Sequence, residues 1–176
     1  MKIFFIVAAL VFCSENYAQQ TVTLKNGKQY PATEVWEFVS NSYVYDSNPK
    51  IQILRTATGG LLKISVKVSQ EKLYVGERIF INLINNSIIY CTDKGNREYK
   101  DGVASTFFTL TIKELQLLQN QEIADVRFKI LGARKIFDSQ TGMFTASNIL
   151  TVFDVFSPDK KTIDTKTAVR DLFKQK

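Results

Sequence analysis

Apolar and polar side chains alternate in short runs along most of the chain, the pattern of half-buried strands whose successive side chains point to opposite faces. Residues 34–40 set Trp36 and Phe38 against Glu37, so the aromatics face inward and Trp36 belongs to the core. Residues 51–55 and 61–68 read as a hairpin about Gly59-Gly60, with Ile64, Val66 and Val68 on one face. Residues 79–84 and 88–92 flank Asn85-Asn86-Ser87, and Lys94-Gly95-Asn96 turns the chain again. Nearer the start, 21–24 and 29–30 enclose Lys25-Asn26-Gly27-Lys28; Asn-Gly favours a tight hairpin because both residues accept positive φ. Residues 103–110 and 126–131 are further strands, and 135–137 with 142–147 suggest a final pair.

Two segments carry helical signals instead. Thr111-Ile112-Lys113-Glu114 has the spacing of a capping box, with Leu115 and Leu118 facing inward behind it. From Ile149 the texture changes: Asp164 can cap a helix whose Ala168, Val169, Leu172 and Phe173 recur at helical spacing opposite Lys166, Arg170 and Lys174. That stripe either docks on the domain or lies on a membrane surface. Short alternating segments separated by turns suit antiparallel pairing better than βαβ units. The expected architecture is mainly β: an antiparallel two-layer β-sandwich over 19–148, one short helix, and a docked helical extension over 149–176. A single curled sheet, an open barrel, fits the same alternation.

The first eighteen residues have another purpose. Lys2 precedes an apolar run over 3–12, a polar segment follows, and Ala18 offers a small residue before Gln19, which is the layout of a secretory signal peptide. The apolar run is far shorter than the roughly 20 residues a spanning helix needs. The expectation is an exported protein, periplasmic or extracellular. Cys13 admits an alternative, cleavage and acylation as a lipoprotein, although bulky Phe12 sits beside that bond. A small residue followed by Gln19 and Gln20 resembles the mature starts of proteins secreted by the Bacteroidota.

Composition then narrows the chemistry. The chain is 45% hydrophobic and 23% charged, with thirteen Phe and seven Tyr, as in a folded domain. It contains no histidine, which excludes Ser-His-Asp and Cys-His catalysis and His-containing zinc sites. With Cys13 removed, Cys91 is the lone thiol, so no intramolecular disulfide forms, and burial as a small hydrophobe is its expected state. No cofactor is implied by any motif. The net charge is +6, and the excess concentrates where Lys50, Arg55, Lys63, Lys67 and Lys72 face only Glu71. On a strand Lys63 and Lys67 share a face, which suits either solvent or an anionic glycan, lipid phosphate or acidic surface. Nothing resembles a nucleic-acid module.

The acids Asp93, Glu98 and Asp101 cluster around Gly95 and Gly102, in a spacing that departs from the EF-hand and fits turn chemistry better than calcium. Tyr43, Tyr45, Tyr74, Tyr90 and Tyr99 offer flat amphipathic faces that stack on sugars or peptides. Tyr43, Tyr45, Tyr90 and Tyr99, with Lys63 and Lys67, are the candidate ligand-binding residues; catalytic and metal-binding residues are not expected. The paired strands, the Thr111 to Glu114 cap and the strand Ile123 to Phe128 resemble small exported β-rich proteins of the Bacteroidota, a likeness that implies a fold and no activity. The function expected is a non-enzymatic binding or envelope-associated structural module for a glycan or protein. A carbohydrate-active hydrolase using two carboxylates is the alternative. Membrane contact is expected only through an acylated Cys13 or an interfacial C-terminal helix.

Overall fold

The computed structural model describes residues 20–41, 47–132, 140–151, 153 and 161–174. The signal segment, Cys13, Tyr43, Tyr45 and the strand expected at 135–137 lie outside the described residues. Two antiparallel sheets pack face to face. Sheet A contains β1 (Gln20–Thr23), β2 (Gln29–Ala32), β3 (Trp36–Glu37), β5 (Lys50–Thr56), β6 (Gly59–Lys67), β9 (Arg97–Lys100) and β10 (Val103–Leu110). Sheet B contains β4 (Val39–Ser40), β7 (Tyr74–Leu83), β8 (Ile88–Thr92), β11 (Ile123–Leu131) and β12 (Gly142–Ser147). The order is β1-β2-β5-β6-β10-β9 in one sheet, with β3 also on β5, and β4-β12-β11-β7-β8 in the other.

The chain visits the sheets alternately, hairpin by hairpin, and the local turn chemistry sets each hairpin. Gly27 takes a φ of 78° and Lys28 donates its amide to Asn26 Oδ1. Asn86 takes 66° between β7 and β8, and Asp101-Gly102 takes 51° and 77° between β9 and β10. Positive φ at two consecutive residues, as at Asp101-Gly102, matches the twist of antiparallel strands, whereas the Asn26-Gly27 turn has it at Gly27 and not at Asn26. The β5–β6 hairpin differs from expectation: Thr56 pairs with Gly59, so Ala57 and Thr58 form the turn and the glycines begin β6. Their role is close approach. A Cβ on Gly59 would stand 2.6 Å from the Leu110 carbonyl oxygen, and one on Gly60 would stand 3.0 Å from Leu115 Cδ2.

Residues 36–40 are also not one strand. Trp36 pairs with Ile51 in sheet A, while Val39 pairs with Ser147 in sheet B, so this short run hands the chain from one layer to the other. Trp36 and Phe38 are both fully buried at the handover, their rings 6.5 Å apart. The core between the sheets is filled by alternating inward residues: Ile51 and Ile53, Ile64 and Val66, Ile79 and Ile81, Val126 and Phe128. Each such side chain contributes about 1.5–3 kcal/mol by leaving water. Thr106 also points inward, and its hydroxyl donates to the Val75 carbonyl at 2.7 Å, joining the two layers by a satisfied buried polar contact.

Helix α1 (Ile112–Asn120) carries the chain from β10 to β11. Its capping box is complete: the Glu114 amide donates to Thr111 Oγ1, and the Thr111 amide donates to Glu114 Oε2. Leu115 and Leu118 are buried against the β5–β6 end of the core. Helix α2 (Thr165–Lys174) packs on α1 with Val169 and Leu172 buried, and Arg170 donates to the Gln119 carbonyl. Asp164 accepts from the Thr167 amide at 2.9 Å, and that bond to the α2 start holds its carboxyl below the ordinary range. Among the described residues no helix is long and apolar enough to cross a membrane.

Candidate functional site

The outward face of sheet A is part apolar, whereas a sheet with one solvated side commonly presents polar residues there. Its outward face carries a second small core of Ala32, Leu54 and Phe107, with Val22, Tyr30 and Leu61 packed around it. The β1–β2 hairpin supplies the cover. Folding over the sheet, it reaches the far edge strand, where the Lys25 amide donates to Glu98 Oε1 at 2.7 Å across 73 residues of sequence. The two ends of a six-strand path are thereby joined by a hairpin tip, and the sheet is left concave. A cleft of about 460 Å³ lies under that arch, lined by Tyr30, Leu61, Phe107 and Thr109 with Asn96 and Glu98 at the rim.

Lys63 extends along the same face. Phe107 is its direct cross-strand partner on β10, and its ammonium lies 5.9 Å from the Phe107 ring centroid. That is a cation–π arrangement at the edge of useful range. Burial pushes the Lys63 pKa down, opposed by the negative charge of Glu98. Next on the strand, the Ser65 and Ser105 hydroxyls share a 2.8 Å hydrogen bond, and both are buried. Gln52, opposite Lys63, donates to the Thr33 carbonyl and to Gln20 Oε1. Lys67 ends this row, exposed, opposite Val103. The row reads Lys63, Ser65, Lys67 as strand periodicity requires.

The remaining candidates are not gathered with the lysines. Tyr99 lies on β9, packs against the main core and lines a second cleft of about 610 Å³ with Lys72 and Tyr74. Tyr90 lies on sheet B, more than half exposed, with its ring edge-on to Phe80 at 5.8 Å. Tyr43 and Tyr45 fall outside the described residues. The sequence therefore pointed to three separate surfaces. It missed Tyr30, Phe107 and Lys25, whose placement depends on the arch contact to Glu98, for which no short-range pattern exists.

The acidic cluster resolves into separate tasks. Asp93 accepts from the Gly95 amide at 2.7 Å and forms an ion pair with Arg97, whose guanidinium lies 3.6 Å from the Tyr74 ring centroid. Glu98 takes the Lys25 amide, and Asp101 occupies a turn. Among the described residues no group of three or more acids or thiols converges to hold a metal ion. Cys91 is buried on β8, and desolvation, followed by the charge of Glu114, pushes its thiol up to about 12. It packs as a small hydrophobe. Comparison of the chain with family models, curated proteins and solved structures finds no match.

Proposed function

We propose that this chain is an exported, non-enzymatic binding module of the cell envelope or its exterior, and that its ligand occupies the arched cleft on sheet A. The observation that carries the reading is the cleft's construction: a floor of Tyr30, Leu61 and Phe107, with the amides and hydroxyls of Asn26, Asn96, Thr58 and Thr109 and the cations Lys25 and Arg97 around it. A concave surface with a few convergent polar groups is the usual form of a small-ligand site. Glu98 is the single carboxylate on its lining, whereas glycoside hydrolysis ordinarily uses two flanking the scissile bond. Export rests on the N-terminal layout, either with cleavage after Ala18 or with acylation at Cys13.

The test is a screen of glycans, lipids and envelope proteins against the mature chain, with each probe assayed for hydrolysis in the same wells. Retention of a glycan or peptide without turnover is expected. Turnover abolished by Glu98→Gln would replace the binding reading with the two-carboxylate hydrolase, with Glu71 across the second cleft as the partner acid to examine.

A further inference from the structure

Strand β8 is the edge of sheet B. Among the described residues only β7 pairs with it, and along it Ile88, Tyr90 and Thr92 are exposed while Ile89 and Cys91 are buried. The Ser87 carbonyl accepts from the Leu83 amide, and the Asp93 amide donates to the Glu77 carbonyl, so both residues bond across to β7. Bonding residues alternate along an antiparallel strand, and Ile89 and Cys91 therefore also turn their backbone groups to β7. Ile88, Tyr90 and Thr92 aim theirs at the open side, where nothing among the described residues meets them.

Native sheets usually blunt such an edge with charge, proline, a bulge, extreme shortness or a cover. The other edges here are treated that way: β9 carries Arg97, Glu98 and Lys100, β4 is two residues long, and the β1–β2 hairpin is tied down at its tip through Lys25. β8 has none of these devices. Residues 79–92 contain no charged residue and no proline, and Ile84, Ile88 and Tyr90 beside the edge are 56%, 45% and 57% exposed.

We infer that β8 is a dimer interface, at which two copies of the chain pair their β8 strands antiparallel about a two-fold axis through Tyr90. In that register Tyr90 faces Tyr90 of the second copy and Ile88 faces its Thr92, so every outward N–H and C=O of the strand meets a partner. The axis also keeps the outer faces of the two sheets on one side. Phe80 lies opposite Tyr90 on β7, edge-on with ring centroids 5.8 Å apart, and the dimer extends that pair into a row of Phe80, Tyr90, Tyr90 and Phe80, the kind of cross-strand contact that stabilises sheets. The uncharged run is what admits a second copy: a chain of net charge +6 repels itself over most of its surface, but here it sets no charge against its own image. A foreign strand would use the same backbone groups, without the ring row that continues through the axis. One strand pairing with one row of side chains is a small interface, of the class that gives a concentration-dependent dimer. The inference is independent of the ligand reading, whose cleft lies on sheet A.

Sedimentation equilibrium of the mature chain from about 1 μM to about 1 mM tests the inference. The wild type is expected to pass from monomer to dimer and no further, because the pairing consumes the edge. Tyr90→Lys sets like charges opposite each other at the axis, and Thr92→Pro removes an outward N–H that bonds nothing in the monomer. Each should raise the dissociation constant at least about tenfold, with the melting temperature of the dilute monomer unchanged. Amide hydrogen exchange should find Ile88, Tyr90 and Thr92 protected in concentrated solution and unprotected in dilute solution, with Ile89 and Cys91 protected in both. A wild type that stays monomeric to the top of the range, a dimer that both substitutions leave intact, or assembly past the dimer would overturn the inference. A monomer whose outward amides gain protection only when an alternating threonine-valine peptide is added would put a foreign strand in place of the second copy. If a variant fails to fold, the wild-type exchange pattern decides, and outward amides whose protection does not change with concentration would overturn the inference.

Discussion

Asn148 and Ile163 exchange two hydrogen bonds: the Ile163 amide donates to Asn148 Oδ1 at 2.9 Å, and Asn148 Nδ2 donates to the Ile163 carbonyl at 2.9 Å. Asn148 Nδ2 also donates to the Ile123 carbonyl, while the Ile123 amide donates to Thr165 Oγ1. One buried amide thus ties the approach to α2 onto the start of β11. Asn148→Ala removes the partners of three backbone groups at once; the bond to the Ile123 carbonyl is buried and the two at Ile163 are partly buried, and an orphaned buried group costs about 1–3 kcal/mol. Chemical denaturation should show a loss of about 2 kcal/mol or more, and a loss below about 0.5 kcal/mol would mean that these bonds are readily replaced by water.

The C-terminal helix is expected to act through that docking and not through a membrane. Deleting residues 163–176 uncovers α1 and strips Val169 and Leu172 from the core. A fall in melting temperature with unchanged binding to anionic vesicles is the expected result, and Leu172→Ala alone should cost about 2–4 kcal/mol. Normal melting with lost, salt-sensitive vesicle binding would assign the helix to a membrane surface instead.

Cys91 should resist thiol reagents at pH 8 in the native protein and react fully once unfolded, because the thiolate is the reactive form and its pKa is pushed up to about 12. The sign of the linkage follows. Below the unfolded-state value of about 9 both states keep the proton; above it the unfolded thiol ionises first, so stability falls as pH rises towards 12, by at most about 1.4 kcal/mol per unit. Measured against Cys91→Ala by denaturation at stepped pH, the wild type should lose ground above pH 9. A native thiol that reacts quickly at pH 8 would contradict its burial.

Lys63 offers a separation of folding from binding. Its lowered pKa means that burial penalises the charged form, and that cost is present at neutral pH and fades only as pH rises towards the unfolded lysine value. Lys63→Leu should therefore melt at or above the wild-type temperature while losing ligand. A clear drop in melting temperature would make Lys63 a structural residue.

How far the sequence disclosed this molecule depended on the range of the forces involved. The turns at Asn26-Gly27, Asn86 and Asp101-Gly102, and the Thr111 cap, are decided within four residues, and antiparallel β structure follows from alternation punctuated by such turns, although the choice of two packed sheets over one curled sheet does not. Trp36 and the Ile64, Val66, Val68 face were readable from strand period alone. The break of residues 36–40 between layers was not, because alternation is the same whichever sheet receives a strand. Asn148 gave no local signal, since its partners lie at Ile123 and Ile163. The binding cleft was least legible: Lys63 and Lys67 were visible as a polar stripe, but the arch that makes the surface concave rests on a contact between Lys25 and Glu98.

The central claim, ligand capture without turnover under the sheet A arch, is tested most directly by one array carrying acidic and neutral oligosaccharides and acidic peptides. It would be probed in parallel with the mature wild type and a Lys25→Gln, Lys63→Gln double variant, with mass spectrometry of every spot afterwards. The wild type is expected to be retained on intact oligosaccharide or peptide spots, and the equally stable double variant is not. Identical retention of both proteins, or cleaved sugars under the wild type, would contradict it.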